Sequence, residues 1–291
     1  MNIISNLKIR DKLILLLSLL LIPLVYFVVS AVQLEFEENE SLKQEALQLE
    51  ESEKISTLIH LFQRERARML AAAVGDSAML LEAKIHRSSV DAAERELKTF
   101  LQNSGRSLPE LSLLDEQRKY RADLDEQKLD LAQYRVFSSS LIFNLLDRLD
   151  DNASATGNGD LARQLISFRY LTEAKIQLAR ARSLLQKVAF ENNFTYDDYA
   201  TIRSHINSYN RALSNFSRYA EPVALADVEE ILVSDNYRYV LSMLQAIEQN
   251  PDMDLNAVDP GIVFERFTTS IESFREAERS LVNRIRNEVD E

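Results

Sequence analysis

Residues Ile55–Ala73, which read ISTLIHLFQRERARMLAAA, carry the pattern that decides the fold. Apolar side chains recur at positions 55, 58, 59, 62, 69, 70 and 73, which is the three- and four-residue spacing of one helix face. Neither Gly nor Pro interrupts the stretch. The pattern predicts a long amphipathic helix whose apolar stripe packs against other helices.

Arg66 lies inside this apolar stripe, four residues after Phe62 and four before Leu70. A guanidinium keeps its proton, and burying it without a partner costs several kcal/mol. The position therefore predicts one of two arrangements: a carboxylate of a facing helix pairs with Arg66, or the bundle keeps a place for an anion. Because buried charges are usually paired, spacing alone favours the salt bridge.

A second pair of arginines repeats the surroundings of the first. Gln63–Ala67 reads QRERA and Ala179–Ser183 reads ARARS, so each segment has Arg-x-Arg followed by a small residue. Arg182 shares the more apolar face of its helix, whereas the neighbours of Arg180 are less apolar. Two inward arginines on two helices can converge on one ligand.

The composition indicates an all-helical protein with a substantial core. The chain has 291 residues, of which 46% are hydrophobic, with only five Gly and five Pro. It has no Cys, so it has no disulfide or thiolate nucleophile. The three histidines, His60, His86 and His205, are scattered, and no Gly-rich phosphate loop, nucleophile elbow or HExxH motif occurs. We therefore expect no enzyme activity, no cofactor and no metal site.

Leu13–Val32, LILLLSLLLIPLVYFVVSAV, predicts a transmembrane helix. These 20 residues carry no charge, and at about 1.5 Å per residue they cross a hydrocarbon core of about 30 Å. Basic residues precede the segment and acidic residues follow it, which places residues 1–12 in the cytoplasm and residues 33–291 in the periplasm. A cleaved signal peptide is the alternative, with Val29–Ala31 as a weak cleavage site. We expect an uncleaved, single-pass anchor in the inner membrane.

Helix start and stop signals divide the rest of the chain. Residues 33–54 predict an acidic, solvated helical stalk, and residues 55–290 predict a helical domain. Beyond the first helix, which ends near Gly75, the predicted helices cover residues 77–102, 109–151, 160–191, 196–219, 222–249 and 260 onward. Thr195–Asp198, which reads TYDD, predicts a capping box at the start of the helix over 196–219. Several helices are near 30 residues long, which exceeds one four-helix bundle and favours two bundles that share long helices. We predict an all-α fold in which the N-terminal transmembrane helix continues into two stacked antiparallel helical bundles.

The net charge of −12 argues against a nucleic-acid partner. The first 32 residues carry +2, so the remainder carries −14. Such a surface repels nucleic acid and anionic lipid.

Three segments together resemble the nitrate- and nitrite-sensing (NIT) domain family. The first is Phe62–Ala67, the second runs from Leu171 to Ser183, and the third is the helix that follows Asp259-Pro260. The resemblance covers about residues 55–290. Members occur in bacterial chemoreceptors, histidine kinases, cyclic-dinucleotide enzymes and antitermination regulators.

The resemblance implies an oxyanion held by arginines between the first and fourth predicted helices. Carried over by motif, Arg66 and Arg182 are the main candidate ligands for nitrate or nitrite, and Arg64 and Arg180 follow. Guanidinium forks match the plane of such an anion. We therefore expect an extracytoplasmic sensor domain that passes a signal to the membrane, as a homodimer like other receptors of this kind.

The alternative is a helical-bundle interaction module with no small-molecule ligand. In that case Arg66 and Arg182 are expected to meet carboxylates such as Glu65 or Glu173. No kinase, cyclase or methylation helix follows Arg286. The chain is therefore expected to be the sensory half of something longer or to act through a separate output protein.

Overall fold

The computed structural model describes residues 8–191, 193–250 and 259–290, and it confirms the all-α prediction. No β-strand occurs in these ranges. A 3-10 turn at Pro109–Ser112 precedes the third helix. The helices are α1 Ile9–Ala73, α2 Ser77–Asn103, α3 Leu113–Asp125, α4 Leu131–Ala155, α5 Gly159–Glu191, α6 Tyr196–Tyr219, α7 Pro222–Val233, α8 Asp235–Gln249 and α9 Pro260–Asp290.

The chain separates into two compact units, one up to Glu45 and one from Ala46 onward. In the first unit, large apolar side chains of α1 such as Leu20, Phe27 and Val32 are exposed. Among the described residues, α1 is the one helix whose length and composition suit it to crossing a membrane. Pro23 lies inside this helix without ending it.

The second unit contains two groups of helices, α2–α4 and α6–α9, and both groups pack against α1 and α5. Salt bridges join α1 to α2 through Lys54–Glu96 at 2.8 Å and to α4 through Glu51–Arg148 at 2.6 Å. Helix α5 contacts α4, α6 and α9, and α7 and α8 pack on α9. One continuous hydrophobic core runs through both groups. Long helices are therefore shared between bundles, as predicted.

The prediction of one helix over residues 109–151 is wrong, because α3 and α4 are separate. Gln127, two residues after the end of α3, has a φ of 59°, in the left-handed region, so the helix cannot continue through it. The Asp130 carboxylate then caps α4 by accepting hydrogen bonds from the backbone N–H groups of Ala132 and Gln133. The predicted fourth helix, which carries Arg180 and Arg182, is consequently α5.

The last part of the predicted stalk is buried and not solvated. Leu49 and Glu51 have exposed fractions of 2% and 0%. The Glu51 carboxylate lies between two arginines, with Arg148 Nε at 2.6 Å and Arg106 Nε at 2.9 Å. A buried carboxylate needs such partners. The core therefore begins before residue 55, in a segment whose many acidic residues predicted exposure to solvent.

The entrance to α6 follows the predicted capping box. Thr195 Oγ1 accepts a hydrogen bond from the backbone N–H of Asp198, and the Asp198 carboxylate accepts one from the backbone N–H of Thr195. This exchange fixes the first turn of α6 next to α5, where a cavity opens.

Candidate functional site

A cavity of about 470 Å³ is lined by residues of α1, α4, α5 and α6, and we call it the arginine cavity. Arg66 enters from α1, Arg135 from α4, Arg180 from α5 and His205 from α6. The apolar part of the wall consists of Ala67, Leu70, Ala71, Val74 and Leu184. Asp76, Asp197 and Asp198 also line the wall, so cationic, acidic and apolar surfaces share one space.

Arg66 has a neutral hydrogen-bond partner and no ion pair in the described part of the chain. Its Nε donates to Ser138 Oγ of α4 at 2.8 Å. Burial lowers the pKa of Arg66, and the charge of Arg135 lowers it further. The adjacent Glu65 is paired elsewhere, because Arg121 of α3 donates to both of its carboxylate oxygens at 2.6 and 2.7 Å. The salt-bridge interpretation of Arg66 is therefore wrong.

Arg180 is also unpaired among the described residues, although it is only 7% exposed. Its Nε and Nη2 have no hydrogen-bond partner there. The Phe143 ring of α4 lies 4.5 Å from its Cζ, in a cation–π contact. Burial, followed by the charge of Arg66, lowers the pKa of Arg180 to about 10, so it remains a cation at neutral pH.

A second, smaller cavity of about 60 Å³ lies between α1, α5 and α9. Arg182 Nη1 donates to Thr268 Oγ1 at 2.9 Å, and its guanidinium lies 4.9 Å from the Phe264 ring centre. Burial lowers the pKa of Arg182 to about 10. Arg64 Nη1 lies 3.9 Å from the Glu272 carboxylate. This cavity therefore contains an acidic side chain beside its arginines.

The structure brings the four predicted arginines together in two pairs and not in one site. Arg66 and Arg180 line the arginine cavity, whereas Arg64 and Arg182 line the smaller one. Residues two apart on an α-helix are rotated by roughly 200°, so each Arg-x-Arg segment sends its arginines to opposite sides. The expectation that Arg66 and Arg182 act as one pair is corrected on this ground.

His205 is a cavity residue that the sequence did not single out. Its Nδ1 lies 3.0 Å from Oε1 of Gln177 on α5. Burial and the charges of Arg180 and Arg66 lower the pKa of His205 to about 4, so the ring is neutral at neutral pH. Its hydrogen-bond partner Gln177 is 28 residues away in sequence, beyond the reach of spacing rules.

A buried ionic cluster holds α9 against α1 and α5 next to the smaller cavity. Lys175 Nζ of α5 donates to the Glu278 carboxylate of α9, and both side chains are fully buried. Arg275 donates to Ser56 Oγ at 2.9 Å and to Thr57 Oγ1 at 2.6 Å, both on α1. Burial lowers the pKa of Lys175 to about 8, against the opposing effect of Glu278.

Comparison with known proteins agrees with this architecture. Residues 57–286 match the family model described as nitrate and nitrite sensing. No curated protein matches the chain. A solved structure described as that of the NasR transcription antiterminator matches with a TM-score of 0.76 and 17% identity, covering 92% of this chain and 74% of that one.

At 17% identity the structural match shows a shared fold and nothing more. The family model, in contrast, covers well over half of the chain and includes the segments that carry all four arginines. The chain therefore belongs to the NIT family of nitrate- and nitrite-sensing domains.

Proposed function

We propose that this chain senses nitrate or nitrite by binding the anion between Arg66 and Arg180 in the arginine cavity. The observation that carries the proposal is that two guanidiniums from different helices line one cavity without a carboxylate partner in the described structure. A buried cation without a counter-charge is costly. An anion between the two would offset both charges at once.

The chemistry of this cavity suits a small planar oxyanion. Nitrate has weakly basic oxygens, so it binds best where donors are fixed in place and water is scarce. Arg180 has two unpartnered donors, at Nε and Nη2. Arg66 is held by Ser138 through Nε, which leaves its terminal N–H groups for a ligand. Phe143 covers the face of Arg180 and limits its movement.

The smaller cavity is a second candidate location for the anion. Its volume of about 60 Å³ is close to that of a single small anion, and Arg182 Nε has no hydrogen-bond partner in the described part of the chain. Glu272, however, lies 3.7 Å from His60 Nε2 and 3.9 Å from Arg64 Nη1. Glu272 therefore lies beside the arginines of this cavity and repels an incoming anion. In the arginine cavity, Asp76 caps α2, Asp198 accepts hydrogen bonds from Lys187 and Thr195, and Asp197 is exposed, so we place the main site there.

The proposed signal is a shift of α1 relative to α5. Anion binding would draw Arg66 and Arg180 together, and α1 is unbroken from Ile9 to Ala73. Coupling free energies of about 1–3 kcal/mol are enough to bias a receptor. We propose that α1 anchors the protein in the inner membrane with its N-terminus in the cytoplasm and the NIT domain in the periplasm. It would act as a homodimer on a signalling output.

The alternative, an interaction module without a small ligand, lacks its expected contacts. It required Glu65 or Glu173 to neutralise Arg66 and Arg182. Glu65 pairs with Arg121 instead, and Glu173 pairs with Arg169. The two candidate arginines meet the hydroxyls of Ser138 and Thr268.

Calorimetric titration of the detergent-purified full chain with sodium nitrate and sodium nitrite tests the proposal. We expect binding that Arg66→Ala and Arg180→Ala each abolish, while Arg203→Ala, which removes an exposed arginine of α6, leaves it unchanged. Absence of both heat and a melting shift at millimolar anion contradicts the proposal. Loss of binding in Arg182→Ala alone would place the anion in the smaller cavity.

A further inference from the structure

The proposed anion site leaves His205 without a role, although its ring lines the same cavity as Arg66 and Arg180. His205 belongs to α6, so it adds a third helix to a site so far built from α1 and α5. Its hydrogen bond to Gln177 determines what the ring can offer to a ligand.

The proton on the ring sits at Nδ1. Nδ1 lies 3.0 Å from Gln177 Oε1, and a carbonyl oxygen only accepts, so Nδ1 donates. Gln177 is buried and comes from α5, which holds the ring in place. In the neutral ring Nε2 then carries a lone pair and can only accept. Nitrate also has only acceptor atoms, so Nε2 can bind it only after gaining a proton.

The charges around His205 oppose that proton when no anion is bound. Burial and the guanidiniums of Arg180 and Arg66 hold the pKa of His205 at about 4. Of the three carboxylates in the cavity wall, Asp76 caps α2, Asp198 accepts hydrogen bonds from Lys187 and Thr195, and Asp197 is exposed to solvent. The charged groups that line the cavity are Arg66 on α1, Asp76 before α2, Arg135 on α4, Arg180 and Lys187 on α5, and Asp197 and Asp198 on α6.

We propose that His205 is a third ligand of the anion and that nitrate enters the arginine cavity together with one proton. The proton comes from solvent and binds to His205 Nε2. The ring then donates through Nδ1 to Gln177 and through Nε2 to a nitrate oxygen. This inference rests on the proposed function.

Binding of the anion makes binding of the proton more favourable, and the reverse. The anion offsets the positive field of Arg66 and Arg180, which is the field that keeps the His205 ring neutral. Anion and proton together add no net charge to the cavity. A domain built this way responds to nitrate more strongly as the medium becomes more acidic.

Titration calorimetry of the full chain in detergent with sodium nitrate measures this proton directly. Nitrate does not titrate between pH 5 and 8, so proton uptake belongs to the protein. In buffers of different ionisation enthalpy, we expect the apparent heat to report uptake approaching one proton per anion. Over the same range the affinity should rise by up to about tenfold for each unit of falling pH.

Two failures of this titration have different meanings. Nitrate that binds with buffer-independent heat and a pH-independent Kd overturns the role of His205 but leaves the proposed function intact. Nitrate that does not bind at all overturns both proposals.

Two histidine variants separate proton uptake from simple packing. His205→Gln keeps a neutral polar side chain, and we expect weaker binding at acid pH, a pH-independent Kd and no proton uptake. His86→Gln on α2 is the matched control, because His86 does not line the cavity, and it should retain wild-type proton uptake. Proton uptake that persists in His205→Gln contradicts the inference.

Nuclear magnetic resonance of the wild-type chain gives a test that does not depend on folding of a variant. The protein has three histidines, so selective carbon-13 labelling yields few imidazole signals. We expect saturating sodium nitrate to raise the titration midpoint of one ring by about three pH units or more, which is the rise that uptake of nearly one proton near pH 6 requires, and to leave the other two unchanged. Three unchanged midpoints in the nitrate-bound protein would overturn the inference.

Discussion

Ser138 gives Arg66 a neutral hydrogen-bond partner, which under the proposed function leaves the guanidinium charge for a ligand. Its hydroxyl fixes the guanidinium at 2.8 Å without neutralising it. A carboxylate at the same position would supply the counter-charge from within the protein. The contrast between a neutral and an acidic partner can therefore separate the anion site from ordinary core packing.

Ser138→Asp is expected to raise the melting temperature and to lower nitrate affinity by at least tenfold. The new carboxylate would pair with Arg66 and occupy the place of the anion. Ser140→Asp, at an exposed position of the same helix, is the control and should change neither quantity. Differential scanning fluorimetry and titration calorimetry measure both effects. Unchanged nitrate affinity in Ser138→Asp would show that Arg66 does not contact the anion.

Glu278 is the one carboxylate that pairs with the two buried cations Lys175 and Arg275 in the described part of the chain. Glu278→Gln would leave both cations without a counter-charge, so we expect a loss of about 3–5 kcal/mol in the free energy of unfolding. Glu276→Gln, exposed on the same helix, should cost no more than about 0.5 kcal/mol. Urea denaturation followed by circular dichroism compares the two variants. Equal stabilities would mean that the cluster contributes little to the fold.

The break between α3 and α4 shows why element boundaries were harder to predict than elements. Residues 126–130 contain neither Gly nor Pro. Gln127 adopts a left-handed backbone conformation that glycine usually occupies. Aspartate is a common N-cap residue, but the sequence identifies Asp130 as an N-cap only if the preceding helix, α3, is known to end before it. The capping box at Thr195–Asp198, in contrast, carries its own sequence signature and was predicted correctly.

Gln127→Gly is expected to raise the free energy of unfolding by roughly 0.5–1 kcal/mol. Glycine removes the strain of a side chain in the left-handed region, although it also adds freedom to the unfolded chain. Ala92→Gly, at an exposed position in the middle of α2, should instead lower stability by about 1 kcal/mol. The opposite signs are measured by chemical denaturation. A loss of stability in both variants would show that the turn does not favour glycine.

The sequence predicted which helices carry the inward arginines of the candidate site, but it did not predict which arginines share a cavity. Helical spacing placed Arg66 and Arg182 on inward faces, and both are at least half-buried. Spacing does not tell which inward arginine faces which neighbour, because that depends on the rotation of α5 against α1. The contacts of Arg66 with Ser138 and of Lys175 with Glu278 join residues 72 and 103 positions apart. Only tertiary packing determines such partners.

At the scale of the whole molecule, two neutral histidines make the fold sensitive to acid. The pKa of His205 is about 4 and that of His60 is about 2, both below the ordinary value of 6.5. Below pH 6.5 the unfolded chain therefore binds more protons than the folded one. Stability is fully present above pH 6.5 and is lost as the pH falls toward the folded pKa values.

Each of these histidines should contribute up to about 1.4 kcal/mol of lost stability per pH unit below 6.5. Melting temperatures measured from pH 7.5 to pH 5 should fall steadily in the nitrate-free protein. The double variant His60→Gln, His205→Gln should show a flatter profile, and His86→Gln should keep the wild-type slope more closely. An unchanged slope in the double variant would mean that other groups cause the acid loss.

The Arg-x-Arg spacing has a mechanical consequence for the whole domain. Arg180 and Arg182 project to opposite flanks of α5, and each faces an arginine of α1 in a different cavity. A roll of α5 about its own axis that carries Arg180 toward Arg66 must carry Arg182 away from Arg64. Under the proposed function, closing the arginine cavity around an anion would therefore open the smaller cavity.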